Sequence, residues 1–189
     1  MKMAKIQKGS NVPQSTIDHF QRIPWCAALL SDPTFYIVNM SRTIIQPGDG
    51  HSLMGETWNT DRTIAELLSL YRPPNATTGQ PGEIRRFYTF GGMNAHPNLL
   101  HGGVIATILD STMGNIIAQQ MPELQPLFTV NLNVSYKKPV PTPGTIMIRA
   151  QITKVHASRK VWLSGMVENG TGDVHATAEG LWLRVKPKL

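Results

Sequence analysis

The fold is decided by residues 94–114, which read Asn94-Ala-His-Pro-Asn-Leu-Leu-His-Gly-Gly-Val-Ile-Ala-Thr-Ile-Leu-Asp110-Ser-Thr-Met-Gly114. Pro97 disfavours helix at the residue before it, and the glycine pair at 102–103 leaves the backbone free to turn. From Val104 onward, apolar residues recur at helical spacing, and the positions between them are mostly small. A helix of this kind is typical of a protein interior. The stretch therefore predicts a loop followed by one long buried helix.

Asp110 is the only charged residue of this predicted helix. An ionised carboxylate is costly in a dry interior, so Asp110 either faces solvent through a gap in the packing or is held there for chemistry. At the start of the helix, the first N–H groups lack internal partners and carry partial positive charge. Gly102 and Gly103 would let a ligand oxygen approach those groups closely, although a glycine pair also fits a simple tight turn.

Composition restricts the class of protein. A length of 189 residues predicts one domain with a core of its own, and 41% apolar with 16% charged residues is typical of soluble globular proteins. No apolar run reaches the ~18 residues of a membrane span, and the basic N-terminus lacks the apolar segment of a secretory signal. A cytoplasmic location is expected, with a mitochondrial one left open. The single cysteine, Cys26, excludes an internal disulfide, and the net charge of +6 suits either solubility or a polyanionic ligand.

Residues 1–80 are predicted to form an N-terminal extension packed on a main domain of residues 81–189. The elements predicted in the extension are helices over residues 16–23 and 25–30, a strand over 34–40, a turn over 46–51 and a helix over 63–71. The last helix is predicted because Ile64, Leu67, Leu68 and Tyr71 share one helical face.

The main domain is predicted to combine strands with the buried helix. Apolar and polar residues alternate from Phe128 to Tyr136, which is the pattern of a half-buried strand. The other predicted strands cover residues 83–90, 145–155, 160–167 and 174–185. Strands joined by short turns pair antiparallel, and a helix buried on all sides needs a sheet curved around it. The class is therefore α+β, with an antiparallel sheet wrapped around one long central helix and an N-terminal helical extension.

This order of elements, with His101-Gly-Gly and Asp110, resembles the hotdog fold and more narrowly the acyl-CoA thioesterases of the PaaI/THEM4-like type. The matching segments are residues 100–114, 129–141 and 178–185. The resemblance implies hydrolysis of acyl-CoA to free acid and CoA. It further implies Asp110 as general base or nucleophile, an N–H of Gly102 or Gly103 as donor to the thioester oxygen, Thr129 as a hydroxyl that orients water, and His101 as a positioning residue.

Some relatives carry an asparagine six residues before the motif histidine, where this chain has Ala95. Asn94, His96 and Asn98 lie around that position, and each is a candidate to replace the family asparagine.

Thioester hydrolysis needs an oxyanion stabiliser and a base on opposite sides of one carbonyl. The phosphates of CoA need cations, and the candidates lie at the ends of predicted strands: Lys137, Lys138, Arg159 and Lys160. These residues could also have no role in function, because lysines often solvate a sheet edge and threonine is common in strands such as that of Thr129. No cofactor and no metal are expected, since the spacing of the histidines with Asp110 does not match a helical metal motif.

Three other functions compete with the thioesterase. A non-catalytic acyl-CoA-binding or regulatory hotdog domain would not need Asp110. A hydratase would require an aspartate and a histidine acting as a pair. A nucleic-acid binder would show a clustered basic face with aromatic residues, whereas the charges here are scattered, so no nucleic-acid partner is expected.

The separation of Gly102 and Asp110 predicts an oligomer. Eight residues of helix span about 12 Å along the axis, too far for both groups to act on one carbonyl. Two antiparallel copies of the helix would bring the glycine pair of one subunit to Asp110 of another. We therefore expect a homodimer, or a tetramer built from it, with sites shared across the dimer interface.

Overall fold

The computed structural model describes residues 4–40, 42, 50–124 and 126–185. Its helices are α1 (Gln14–Gln21), α2 (Pro24–Leu30) and α3 (Gly102–Gln120), with a π-helical turn at Leu53–Thr57 and a 3-10 turn at Pro122–Leu124. Its strands are β1 (Lys5–Ile6), β2 (Tyr36–Val38), β3 (Ile64–Arg72), β4 (Glu83–Phe90), β5 (Asn94–His96), β6 (Leu99–Leu100), β7 (Leu127–Tyr136), β8 (Gly144–His156), β9 (Lys160–Glu168) and β10 (Val174–Arg184).

Eight strands form one sheet in the order β1-β2-β3-β4-β8-β9-β10-β7. All neighbours pair antiparallel except β1 and β2, which pair in parallel. β5 and β6 form a separate two-stranded pair just before α3. β7 is the outermost strand at one end of the main sheet, so one of its backbone edges has no strand beside it among the described residues.

The long helix α3 packs on one face of this sheet, as the apolar pattern predicts. Its buried apolar residues join a core cluster with side chains from β3, β4, β8, β9 and β10; they are Val104, Ile105, Ile108, Leu109, Met113, Ile116 and Ile117. Gly165 on β9 allows close packing, because a Cβ there would lie 3.0 Å from the sulfur of Met113. The predicted sheet around one central helix is thus confirmed.

The helix is not buried on every side, contrary to the expectation from its composition. A stripe of small and polar residues is only half-buried, and it comprises Thr107, Asp110, Ser111, Gly114, Asn115 and Ala118. Small side chains leave space above this stripe, so the apolar character of α3 and the partial exposure of Asp110 are compatible.

The helix predicted over residues 63–71 is wrong, because the structure has strand β3 there. Leu67 and Tyr71 pack with the α3 cluster, whereas Leu68 and Leu70 face a second cluster on the other side of the sheet. A strand buried on both faces is apolar at nearly every position, so it contains a helical stripe by coincidence.

The second cluster is formed by the N-terminal helices, which lie on the face of the sheet opposite α3. Ile17 and Phe20 of α1 and Leu30 of α2 pack there with Phe87 of β4. The predicted helical extension is therefore present, and residues before position 80 also add strands β1–β3 to the sheet. The boundary between residues 80 and 81 stays a prediction.

Of the turn predicted over residues 46–51, only Gly50 and His51 belong to the described residues. Within those residues, no helix combines the length and apolar character that a membrane crossing requires.

The packing of α3 predicts a stability difference between two substitutions. Ile108 is fully buried, so Ile108→Ala should lower the free energy of unfolding by about 2–5 kcal/mol through lost contacts and a cavity. Val155 is 40% exposed on β8, and Val155→Thr should change it by less than about 0.5 kcal/mol. Urea unfolding followed by circular dichroism measures both, and equal losses would contradict the assigned core.

Candidate active site

A cleft of about 740 Å³ lies over the small-residue stripe of α3. Its lining comes from α3, from the start of β7, from the segment before β3 and from β4 and β10; the residues are His51, Leu53, Met54, Arg86, Thr107, Asp110, Ser111, Gly114, Asn115, Ala118, Pro126, Leu127, Thr129 and Trp182. The volume is in the range of small-molecule sites. Two of the predicted catalytic residues, Asp110 and Thr129, share this cleft.

Thr129 and Asp110 are joined by a hydrogen bond in which the threonine hydroxyl donates to Asp110 Oδ1 at 2.8 Å. Asp110 forms no ion pair with any other described residue. The carboxylate is thus oriented by a neutral hydroxyl, is half-buried and is open to the cleft.

A β-bulge brings Thr129 to the carboxylate. Strict alternation along β7 places Thr129 on the face opposite Leu132, away from α3. In the structure, Leu181 pairs with Asn131 and Trp182 pairs with Thr129, so Val130 is an extra residue in the ladder. One extra residue reverses the alternation, and Thr129 therefore faces the helix. The predicted strand is confirmed, while its strict alternation fails at Val130.

His101 caps the N-terminus of α3. Its ring Nδ1 accepts a hydrogen bond from the Gly103 N–H at 2.8 Å, and this contact occupies one of the two glycine amides. For the Gly102 N–H, the described residues supply no acceptor. Tyr136 also contacts this turn, because its hydroxyl donates a hydrogen bond to the Gly102 carbonyl at 2.9 Å. Of the two candidate donors, Gly102 is the one whose N–H is available.

The predicted site residues thus form two groups within one chain. Asp110 and Thr129 lie in the cleft, whereas His101, Gly102 and Gly103 are not part of its lining. The uninterrupted helix α3 separates Gly102 from Asp110 by eight residues, or about 12 Å along its axis.

The four cations proposed for CoA form two distant pairs. The Lys137 N–H donates to the His175 carbonyl, and the Arg184 N–H donates to the Arg159 carbonyl. His175 and Arg184 lie nine residues apart at the two ends of β10, so the pairs are separated by roughly 30 Å. All four side chains are exposed: Lys137, Lys138, Arg159 and Lys160. Lys138 forms an ion pair with Asp173, which leaves the other three without ion pairs to the described residues.

The residues around the family asparagine position have different surroundings. The side chain of Asn94 accepts a hydrogen bond from the Thr142 hydroxyl, and the Asn98 carbonyl accepts one from the Thr142 N–H. Ala95 and His96 are exposed, and His96 has no side-chain hydrogen bond to a described residue. None of these residues lines the cleft.

Sequence reasoning missed Arg86, Ser111, Tyr136 and His51. The sequence of β4 gives no sign that Arg86 is buried, because its burial depends on packing between β4 and α3. Ser111 was only the residue beside Asp110. The helical stripe shared by Thr107, Asp110, Gly114 and Ala118 is the one signal from which a cleft over the helix was predictable.

Cys26 takes no part in this site. It is fully buried against the N-terminal cluster, and burial raises the pKa of its thiol to about 12, so the nucleophilic thiolate is suppressed. Within the described ranges, no group of three or more His, Cys, Asp or Glu side chains is arranged to hold a metal ion.

Residues 97–171 match the thioesterase superfamily. The chain is also similar to acyl-coenzyme A thioesterase THEM4 of Mus musculus, with 30% identity over 101 residues that cover 52% of this chain and 42% of that protein. The corresponding match to Bos taurus THEM4 is 32% over 93 residues, covering 49% and 36%. The chain thus spans less than half of the length of these curated relatives.

Solved structures show the same architecture. Thioesterase superfamily member 2 from zebrafish has a TM-score of 0.57 at 18% identity, over 71% of this chain and 92% of that one. A phenylacetic acid degradation-related protein from Ralstonia eutropha has a TM-score of 0.51 at 18% identity, covering 61% and 83%. These likenesses confirm the hotdog fold.

The His101 cap predicts an effect on the free energy of unfolding that can be measured independently of catalysis. His101→Ala removes the acceptor of the Gly103 N–H and should lower the free energy of unfolding by about 0.5–2 kcal/mol. His101→Asn supplies another favoured N-cap side chain and should recover most of that loss. Urea unfolding measures both variants, and an alanine variant as stable as the wild type would show that the cap contributes nothing.

Proposed function

We propose that this chain, of which residues 97–171 match the thioesterase superfamily, hydrolyses acyl-CoA thioesters to a free acid and CoA. The observation that carries the proposal is the Asp110 carboxylate: it lies in a cleft, forms no ion pair with a described residue, and is oriented by Thr129. Hydrolysis by general-base catalysis requires an oriented carboxylate that can accept a proton from water.

In this proposal Asp110 accepts a proton from the attacking water, or attacks the thioester itself. The Thr129 hydroxyl donates a hydrogen bond to Oδ1 of Asp110, so the second carboxylate oxygen is left to face the reacting carbonyl. The Thr129 hydroxyl also fixes the rotation of the carboxylate, so less ordering is needed when the substrate binds. Neither group requires a cofactor.

The oxyanion donor is proposed to be the Gly102 N–H. It is the first amide of α3, it has no described acceptor, and it lies at the positive end of the helix dipole. His101 holds the Gly103 amide and so shapes the turn that presents Gly102. Tyr136 fixes the same peptide from the other side through the Gly102 carbonyl.

A complete site then needs two copies of the chain. Gly102 is tied to Tyr136 and Asp110 is tied to Thr129, and these two partners lie seven residues, or about 23 Å, apart on the edge strand β7. Antiparallel pairing of two β7 strands about the middle of the strand, near Asn133, would place Tyr136 of one copy beside Thr129 of the other. Each Asp110 would then meet the second copy's Gly102.

The surface of β7 supports this pairing. One edge of the strand has no neighbouring strand within the described part of the chain, and the strand exposes Phe128, Val130 and Tyr136 at 55%, 58% and 54%. Unpaired edges with exposed apolar side chains favour pairing with another strand. The same arrangement would bring Lys137 and Lys138 of one copy towards Arg159 and Lys160 of the other. Lys137 follows Tyr136, and Lys160 lies beside the end of β10 that pairs with the start of β7. CoA phosphates could then be held by both pairs.

The role of Asp110 predicts a loss of turnover in Asp110→Asn. The amide keeps the shape and removes the base, so kcat for acyl-CoA hydrolysis should fall about 10²–10⁴-fold. The release of free CoA thiol measures it. Glu123→Gln removes a carboxylate just after the same helix and outside the cleft, and it should leave kcat unchanged. Unchanged turnover in a folded Asp110→Asn protein would remove Asp110 from the mechanism.

The shared site predicts complementation between two inactive variants. Gly102→Pro deletes the proposed amide donor, and proline is tolerated there because Gly102 is the first helical residue and His101 is extended at φ −65°, ψ 134°. When Asp110→Asn and Gly102→Pro chains are mixed, a dimer with one of each keeps one site intact. About half of the wild-type activity per mixed dimer should return, measured on purified heterodimers. If each chain held its own complete site, mixing would restore nothing.

A further inference from the structure

Arg86 of β4 is a fully buried arginine at the wall of the cleft. Three hydroxyl groups surround its guanidinium: Nε donates to Ser69 Oγ at 2.8 Å, and Nη1 donates to Ser111 Oγ at 3.0 Å and to the Tyr88 hydroxyl at 3.4 Å. Nη2 has no hydrogen-bond partner among the described residues. A permanent positive charge is thus enclosed by neutral groups, with one end of its fork unoccupied.

Two other enclosed arginines, Arg72 and Arg42, have a counter-charge or a larger set of acceptors. Arg72, the second arginine that is buried, forms an ion pair with Glu83 at 3.4 Å, although its Nε has no partner among the described residues. The guanidinium of Arg42 donates to four backbone carbonyls, those of Met54, Trp58, Ile64 and Ala65. Arg86 has neither a carboxylate nor a complete set of acceptors. Since a buried charge is costly without a counter-charge, its partner is expected to come from outside the described residues.

The position of Arg86 indicates where that partner would come from. Arg86 and Ser111 both line the cleft that contains Asp110, and Ser111 directly follows Asp110 on α3. A ligand in this cleft with its thioester at Asp110 would direct its acyl group along the half-buried stripe of α3. The unoccupied Nη2 would meet a group on that acyl chain.

Resting on the function proposed above, we propose that Arg86 is a specificity residue that binds a carboxylate at the distal end of the acyl group. The substrates are then ω-carboxyacyl-CoA thioesters rather than simple alkanoyl-CoA thioesters. A carboxylate supplies what the hydroxyls around Arg86 lack, because it brings a negative charge and two acceptor oxygens that match a guanidinium fork. An acyl methyl group would leave the charge uncompensated.

The experiment compares two matched series of thioesters. One runs from succinyl-CoA to suberoyl-CoA, and the other from butanoyl-CoA to octanoyl-CoA, so that each pair differs by a carboxylate in place of a methyl group. For the wild type, kcat/KM should be at least about 10-fold higher for the best ω-carboxyacyl-CoA than for its matched alkanoyl-CoA. Arg86→Met should reduce that ratio about 10- to 100-fold.

Two further variants separate binding from folding. Arg85→Met makes the same chemical change one residue earlier, where the side chain lies on the other face of the sheet against Phe35, and it should keep the preference. Arg86→Lys keeps the charge without the fork and should give an intermediate ratio. If Arg86→Met does not fold, the ratio of the wild type and that of Arg86→Lys still decide the question.

The dissociation constants distinguish failure of this inference from failure of the thioesterase proposal. They are measured by calorimetry for glutaryl-CoA and pentanoyl-CoA, with Asp110→Asn alone and with Asp110→Asn combined with Arg86→Met. Tighter binding of glutaryl-CoA that depends on Arg86 supports the inference even if no thioester is hydrolysed, in which case only the proposed reaction is wrong. A wild type without preference, or an Arg86→Met variant that weakens both series equally, would overturn it and leave a bound water as the partner of Nη2.

Discussion

The rest of the structure depends on the burial of α3 against a single sheet. Eight of its nineteen residues are buried, and they hold five strands of the sheet in one core cluster. The same helix carries a stripe of small side chains, from Thr107 to Ala118, on which the sheet does not close. The buried side chains on one side of α3 therefore form the core, and the small side chains on its other side leave room for the cleft. The one carboxylate of the helix lies on this stripe, so it gains access to water without disturbing the packing.

The bulge at Val130 links that helix to the edge of the sheet. Without an extra residue, the polar face of β7 would point Thr129 away from Asp110. With it, the strand binds the helix twice, through Thr129 at Asp110 and through Tyr136 at Gly102. Both contacts lie on a strand whose outer edge pairs with no other described segment. A second chain that pairs with β7 would therefore lie next to the two contacts that orient the candidate catalytic groups.

Much of the fold could be predicted from residue patterns, because the signals were local. The long helix, the four strands after it and β4 follow from periodicity and turn residues. The helix expected over residues 63–71 failed because β3 is covered on both faces, by α3 on one side and by Phe20 and Leu30 on the other, and burial on two faces removes the alternation. In the site, separate roles for Asp110 and Thr129 were expected by resemblance, whereas the hydrogen bond between them was not. The bulge, the Tyr136 contact and Arg86 were not predictable, since each depends on register or on packing between distant segments.

The placement of Arg86 also bears on the chemistry of Asp110. Both groups line one cleft, yet they form no ion pair, and Nη1 of Arg86 donates to Ser111, the residue that follows Asp110. An arginine in direct contact with the carboxylate would favour its ionised form and oppose its taking a proton. The guanidinium is instead held by three neutral hydroxyls, those of Ser69, Tyr88 and Ser111. The proposed division between a carboxylate that acts as base and a cation that binds the ligand requires this arrangement, in which the two charged groups do not pair with each other.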